Sequence, residues 1–190
     1  MKTSSTLALL GAAALSLVSV TASAAPVLGA QLYYAGGTVT VTSLPVTSGY
    51  TSELGLYDSS FTRLGYIMND EPAGVTVDIT SLISGSGISA GDELIFGIRI
   101  LGPGYEYFMG GAGRNPDQLM HATVDVTSTS PVYTAIVGFE DLYGGGDLDY
   151  DDNKFRFEGG IRSDVPVPGT LGLLGLGLAG LGLTRRRKES

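Results

Sequence analysis

Cysteine and tryptophan are absent from this chain of 190 residues, and histidine occurs once, at His121. Without cysteine there is no disulfide framework, zinc knuckle, iron–sulfur ligation or thiol nucleophile. Charge is scarce as well. Asp, Glu, Lys and Arg together make up 16% of residues, which argues against a helical bundle or coiled coil, whose surfaces need charged helix formers. Basic residues are the minority, 11 Lys+Arg against 19 Asp+Glu. That balance speaks against nucleic acid as a partner, because a phosphate backbone demands a basic surface. Glycine is what the chain has in excess, with 29 residues. The length bounds it at one ordinary domain with processing segments at its ends.

Residues 1–24 read as a secretory signal, which makes signal peptidase the first partner. Lys2 gives the positive start, Leu7 to Val20 is an apolar run of 14 residues, and Ala22-Ser23-Ala24 supplies a small-residue cleavage site. The run is shorter than the ~20 residues a spanning helix needs. At the other end, Gly169 to Leu183 is a second uncharged block, followed at once by Arg185, Arg186, Arg187 and Lys188. As a helix this short block reaches only ~22 Å, less than a ~30 Å hydrocarbon core. It predicts a transient membrane anchor with its basic cluster at the cytoplasmic interface. The six glycines of the block offer a close-packing surface to another membrane helix.

Val165-Pro166-Val167-Pro168, the Gly/Leu block and the Arg/Lys cluster together resemble the PEP-CTERM sorting signal of Gram-negative bacteria. Val167 stands where the motif usually carries Glu. The resemblance implies cleavage near the prolines by a membrane protease of the exosortase type, and a final location at the cell surface or outside the cell. It also implies an association with exopolysaccharide and a role in the biofilm matrix.

Between the signals lie residues 25–164. Removing both ends takes the basic count from 11 to 6 and the acidic count from 19 to 18, so the formal net charge moves from −8 to −12. The hydrophobic period in this stretch is two. Thr38-Val39-Thr40-Val41-Thr42, Val75-Thr76-Val77-Asp78-Ile79, Thr123-Val124-Asp125-Val126 and Lys154-Phe155-Arg156-Phe157 alternate as half-buried strands do. Glu93 to Ile100 and Val132 to Phe139 are richer runs that predict central strands. Clusters such as Gly36-Gly37, Gly102-Pro103-Gly104 and Gly144-Gly145-Gly146 mark turns, and Ser81 to Ser84 has room for one helical turn. The pattern predicts a mainly β chain with about eight to ten short strands, an antiparallel β-sandwich of jelly-roll or immunoglobulin-like type.

One segment carries chemistry. Glu140, Asp141, Asp147, Asp149, Asp151 and Asp152 place six carboxylates within thirteen residues. In an extended chain Asp147, Asp149 and Asp151 share a face, and Leu148 and Tyr150 point to the other, where they pin the segment to the core. Hard oxygen donors in this number suit Ca²⁺, which takes six to eight at ~2.3–2.6 Å. The EF-hand pattern is rejected, since Asp152 stands where that loop needs Gly; a solvated acidic turn without an ion is the bland alternative. Gly138-Phe139-Glu140-Asp141-Leu142, followed by Asp147-Leu148-Asp149-Tyr150, Asp152 and Phe155, resembles the end of the domain of unknown function 4114. Asn115-Pro116-Asp117 with His121 resembles an upstream stretch of the same family. That resemblance implies a secreted, β-rich, calcium-binding domain. His121 itself reads as structural, hydrogen-bonding a turn or lying near the acidic loop. The pairs Tyr33-Tyr34 and Tyr105/Tyr107 read as packing residues.

The expectation is a non-enzymatic, calcium-stabilised exported protein. Two alternatives remain: a lectin-like module in which calcium bridges sugar hydroxyls, and a glycoside hydrolase working with paired carboxylates.

Overall fold

The computed structural model describes residues 25–46 and 48–165. The signal peptide over 1–24, the prolines Pro166 and Pro168 with Val167, the apolar block 169–183 and the basic cluster Arg185 to Lys188 all lie outside the described residues.

Among the described residues, ten strands, one short α-helix and one 3₁₀ turn follow in chain order: β1 Val27–Leu28, β2 Leu32–Ser43, β3 Ser52–Tyr57, β4 Arg63–Asn69, β5 Thr76–Asp78, α1 Thr80–Gly85, β6 Glu93–Ile100, β7 Glu106–Phe108, the 3₁₀ turn Ala112–Arg114, β8 Ala122–Ser128, β9 Thr134–Phe139 and β10 Asn153–Ser163. Every pairing is antiparallel. The order is β1-β8-β9-β10-β2-β6-β3-β4, with β5 added to β2 and β7 to β6. The chain is mainly β, as its period of two requires.

This sheet folds over at one place. β2 pairs with β10 on one edge, and on its other edge its first residues Leu32 and Tyr33 also pair with Leu94 and Glu93 of β6. From Ile95 onward β6 leaves β2 and pairs with β3. The strands before and after this hand-off form two layers with a shared interior, so the sandwich is closed along one side by continuous hydrogen bonding. Phe96 of β6 meets Phe157 of β10 across the interior, with ring centroids 4.4 Å apart. Val39, Val41, Leu54, Leu56, Val137 and Phe155 are fully buried around that contact. Alternation explains this membership: each strand sends every second side chain inward.

Two glycines in β10 permit its close approach to β2. Gly159 has φ +103°, a left-handed value that favours glycine. A Cβ there would overlap the Thr38 carbonyl, and one on Gly160 would overlap that of Gly36. The β10–β2 register shifts at this point, between Gly159 and Ile161, as a bulge does when it bends a strand.

Val165, the last described residue, lies one position beyond the expected boundary at 164 and belongs to the folded body. Val165 is buried in the main core cluster, and its N–H donates to Ser163 Oγ. The Gln31 N–H in turn donates to Asp164 Oδ1 at 3.0 Å.

Candidate metal centre

The acidic segment is the connection between two neighbouring strands. Phe139 at the end of β9 pairs directly with Asn153 at the start of β10, so residues 140–152 form one long hairpin loop. Most hairpin loops have two to five residues, and longer ones are commonly functional.

Local contacts hold the base of the loop. The Glu140 N–H donates to the His121 carbonyl at 2.9 Å, and His121 Nδ1 lies 3.0 Å from the Glu140 carbonyl. His121 Nε2 lies 2.8 Å from Asp117 Oδ2, which also accepts the Gly144 N–H at 2.9 Å. The imidazole is fully buried and stacks on Tyr107, centroids 3.8 Å apart and planes 8° from parallel. His121 and Asp117 thus fasten the loop at its root and at its glycine turn. Desolvation alone would raise the Asp117 carboxyl, but the hydrogen bonds from Gly144, His121 and Leu119 outweigh it and hold it below its ordinary value.

Within the loop, Glu140, Asp147 and Asp149 bring one carboxylate oxygen each to within 4.8 Å of one another. Glu140 is fully buried, while Asp147 and Asp149 are exposed. Its two oxygens differ sharply. Oε1 accepts the Tyr150 N–H at 2.6 Å, whereas Oε2 is buried with no hydrogen-bond partner. That second oxygen faces Gly146, where a Cβ would stand only 2.7 Å from it. Burial pushes the Glu140 carboxyl up despite the Tyr150 N–H, and Asp152, Asp147 and Asp149 add to the rise. An unpartnered buried oxygen costs about 1–3 kcal/mol when nothing meets it.

The other three carboxylates go elsewhere. Asp141 is nearly buried and accepts from Ser48 Oγ, and its N–H donates to Asp152 Oδ2 at 3.1 Å. Asp151 donates its N–H to Asp149 Oδ1 at 3.0 Å and places Oδ2 3.8 Å from Lys154 Nζ. The expected extended segment is corrected here. Leu148 and Tyr150 have φ of +64° and +58°, so the residues flanking Asp149 coil the backbone and break the period of two. Leu148 accordingly stands 56% exposed and does not pin the loop to the core.

One buried acid was missed from sequence. Asp70 is fully buried; Oδ1 accepts the N–H groups of Ser52 and Glu71, and Oδ2 accepts from Asn153 Nδ2. Burial raises its carboxyl. Nothing in Asn69-Asp70-Glu71-Pro72 announces this, since it has the composition of a polar surface turn.

Comparison with known proteins concerns the other end of the chain. A family model for the PEP-CTERM protein-sorting motif matches residues 164–188. The chain carries a PEP-CTERM sorting motif. The motif implies handling by an exosortase-type system and a destination at the cell surface or beyond it. No curated protein and no solved structure matches the chain, and no match supports the resemblance to the domain of unknown function 4114. The PEP-CTERM match begins at Asp164, so the motif starts directly against the folded body. Among the described residues no helix is long and apolar enough to cross a membrane.

Proposed function

We propose that this protein is a non-enzymatic component of the cell surface or extracellular matrix, whose β-sandwich is stabilised by a calcium ion held at Glu140, Asp147 and Asp149. The buried, unpartnered Oε2 of Glu140, beside two further carboxylates, is the observation that carries this reading. Three carboxylates in mutual reach repel one another, and a divalent cation converts that repulsion into attraction. Calcium fits better than magnesium. The donors are all carboxylate oxygens on a glycine-rich loop, and Ca²⁺ accepts irregular geometry where Mg²⁺ demands an octahedron and holds its water. Export supports the same choice, because the chain has no cysteine with which to cross-link itself and a native-state ion supplies stability by mass action instead.

Melting the full-length chain with calcium and with chelator tests this. At calcium a hundredfold above the dissociation constant, linkage adds about 2.7 kcal/mol. For a domain of this size the midpoint then rises by roughly 10 °C. Equal midpoints in the two conditions overturn the proposal.

A further inference from the structure

We infer that the acidic loop is a binding site for a neutral polysaccharide, with sugar hydroxyls completing the coordination of the ion and a sugar ring resting on Tyr143 and Tyr105. This rests on the ion site proposed above and adds its ligand.

Donor count is the first argument. Glu140 Oε1 is engaged by the Tyr150 N–H and Asp149 Oδ1 by the Asp151 N–H. Glu140 and Asp149 therefore each keep one oxygen uncommitted to any N–H, and with Asp147 the three side chains supply about three or four such oxygens. Ca²⁺ takes six to eight oxygens, so about half of its shell must come from outside these side chains. Asp147 and Asp149 are exposed, which leaves that half open toward solvent, where paired hydroxyls can enter.

Aromatic geometry is the second. Tyr143, on the same loop, is 60% exposed, and Tyr105, from the turn before β7, is 46% exposed. Their centroids lie 5.9 Å apart with planes at 42°. Tyr107 is fully buried against His121, and Tyr105 lies beside it, centroids 6.3 Å apart, yet both Tyr105 and Tyr143 keep a large exposed face. A tyrosine combines a flat apolar face with a polar tip, which suits a sugar ring with its C–H face and hydroxyl rim. Leu142, adjacent to Tyr143, borders the ion site: a Cβ on Gly146 would touch both Leu142 and Glu140. Tyr143 and the ion site are therefore parts of one loop, and Tyr105 joins them from the turn before β7.

Charge selects among ligands. One Ca²⁺ against three carboxylates leaves a net −1, and Asp141, Asp151 and Asp152 on the same loop add to the negative field. Anionic phospholipid headgroups, nucleic acids and uronate polymers meet a repulsive field, whereas uncharged hydroxyls do not. Asp149 also lines a cleft of about 460 Å³ with Thr123, Ile136, Tyr150, Asp151 and Lys154, a mixed wall whose polar groups can hydrogen-bond hydroxyls and whose apolar part can meet a C–H face.

The test applies the full-length chain, purified in mild detergent, to an array of neutral and uronate-bearing polysaccharides, with calcium and with chelator. Calcium binding is titrated in parallel. Neutral glycans are retained only with calcium. Tyr143→Ala lowers that retention about tenfold, the equivalent of one stacking contact, and leaves the calcium titration unchanged. Asp147→Asn, an exposed change that spares the fold, weakens both. Calcium binding without retention of any neutral glycan overturns this inference and leaves the ion site standing; absence of calcium binding overturns both. Preference for uronate polymers, full retention by Tyr143→Ala, or calcium-driven self-association in place of glycan binding likewise overturns it.

Discussion

Burial raises the proton affinity of both Glu140 and Asp70, yet the two carboxylates have different surroundings. Asp70 receives donors on both oxygens, so its charge is solvated by the protein and it serves the fold. Glu140 is solvated on one side only, and its free oxygen has further carboxylates as neighbours. Replacing it by glutamine separates the two roles. In Glu140→Gln the remaining oxygen still accepts the Tyr150 N–H, while the new amide donates toward Asp147 and Asp149. The expected result is a protein about 1 kcal/mol more stable than wild type in chelator, the worth of one added hydrogen bond with repulsion relieved. Its response to calcium is lost. Thermal melting of both proteins under both conditions measures this, and a glutamine variant that keeps the calcium shift shows that Glu140 is no ligand.

At the scale of elements, the loop depends on how β9 lets it close. Gly138 lies under the loop, and a Cβ there would overlap the Tyr150 carbonyl oxygen. Gly138→Ala must therefore push residues 149–151 outward, at a cost of about 2 kcal/mol for overpacking. Because Asp149 travels with that segment, calcium affinity falls together with stability. A variant that melts lower but titrates calcium as wild type does would mean the loop moves without carrying its ligands. Strands were legible from sequence where alternation was uninterrupted: the run Glu93 to Ile100 is β6 to the residue, and Thr38 to Thr42 lies within β2. β3 and β4 did not stand out, because their pairing carries two register shifts that break the period. Clustered charge drew attention to Glu140, Asp147 and Asp149. Which acids converge was not legible, since Leu148 and Tyr150 adopt left-handed φ values that their side chains disfavour and no residue type announces. Asp70 escaped for a different reason: the Asn153 amide that meets its second oxygen comes from β10, 83 residues further along the chain.

For the whole molecule, the decisive quantity is charge. Residues 25–164 carry a formal net charge of −12, with only six basic residues. Four of those six, Arg63, Arg114, Lys154 and Arg156, form ion pairs with acids. Such partly exposed pairs contribute little each and leave the excess of acid intact. A body with this imbalance repels itself, and general screening relieves the long-range part, since the Debye length shrinks to about 10 Å at 0.1 M salt. Sodium chloride therefore raises the melting midpoint smoothly. Repulsion among Glu140, Asp147 and Asp149 acts over less than a Debye length, so monovalent salt cannot screen it away. At matched ionic strength calcium must add a saturable shift on top of the sodium effect, with magnesium giving a smaller one because it retains its water. Melting curves in sodium, magnesium and calcium chloride at equal ionic strength separate the two contributions. If the three salts give one common curve, the acidic loop is merely part of a charged surface, and the metal centre does not exist.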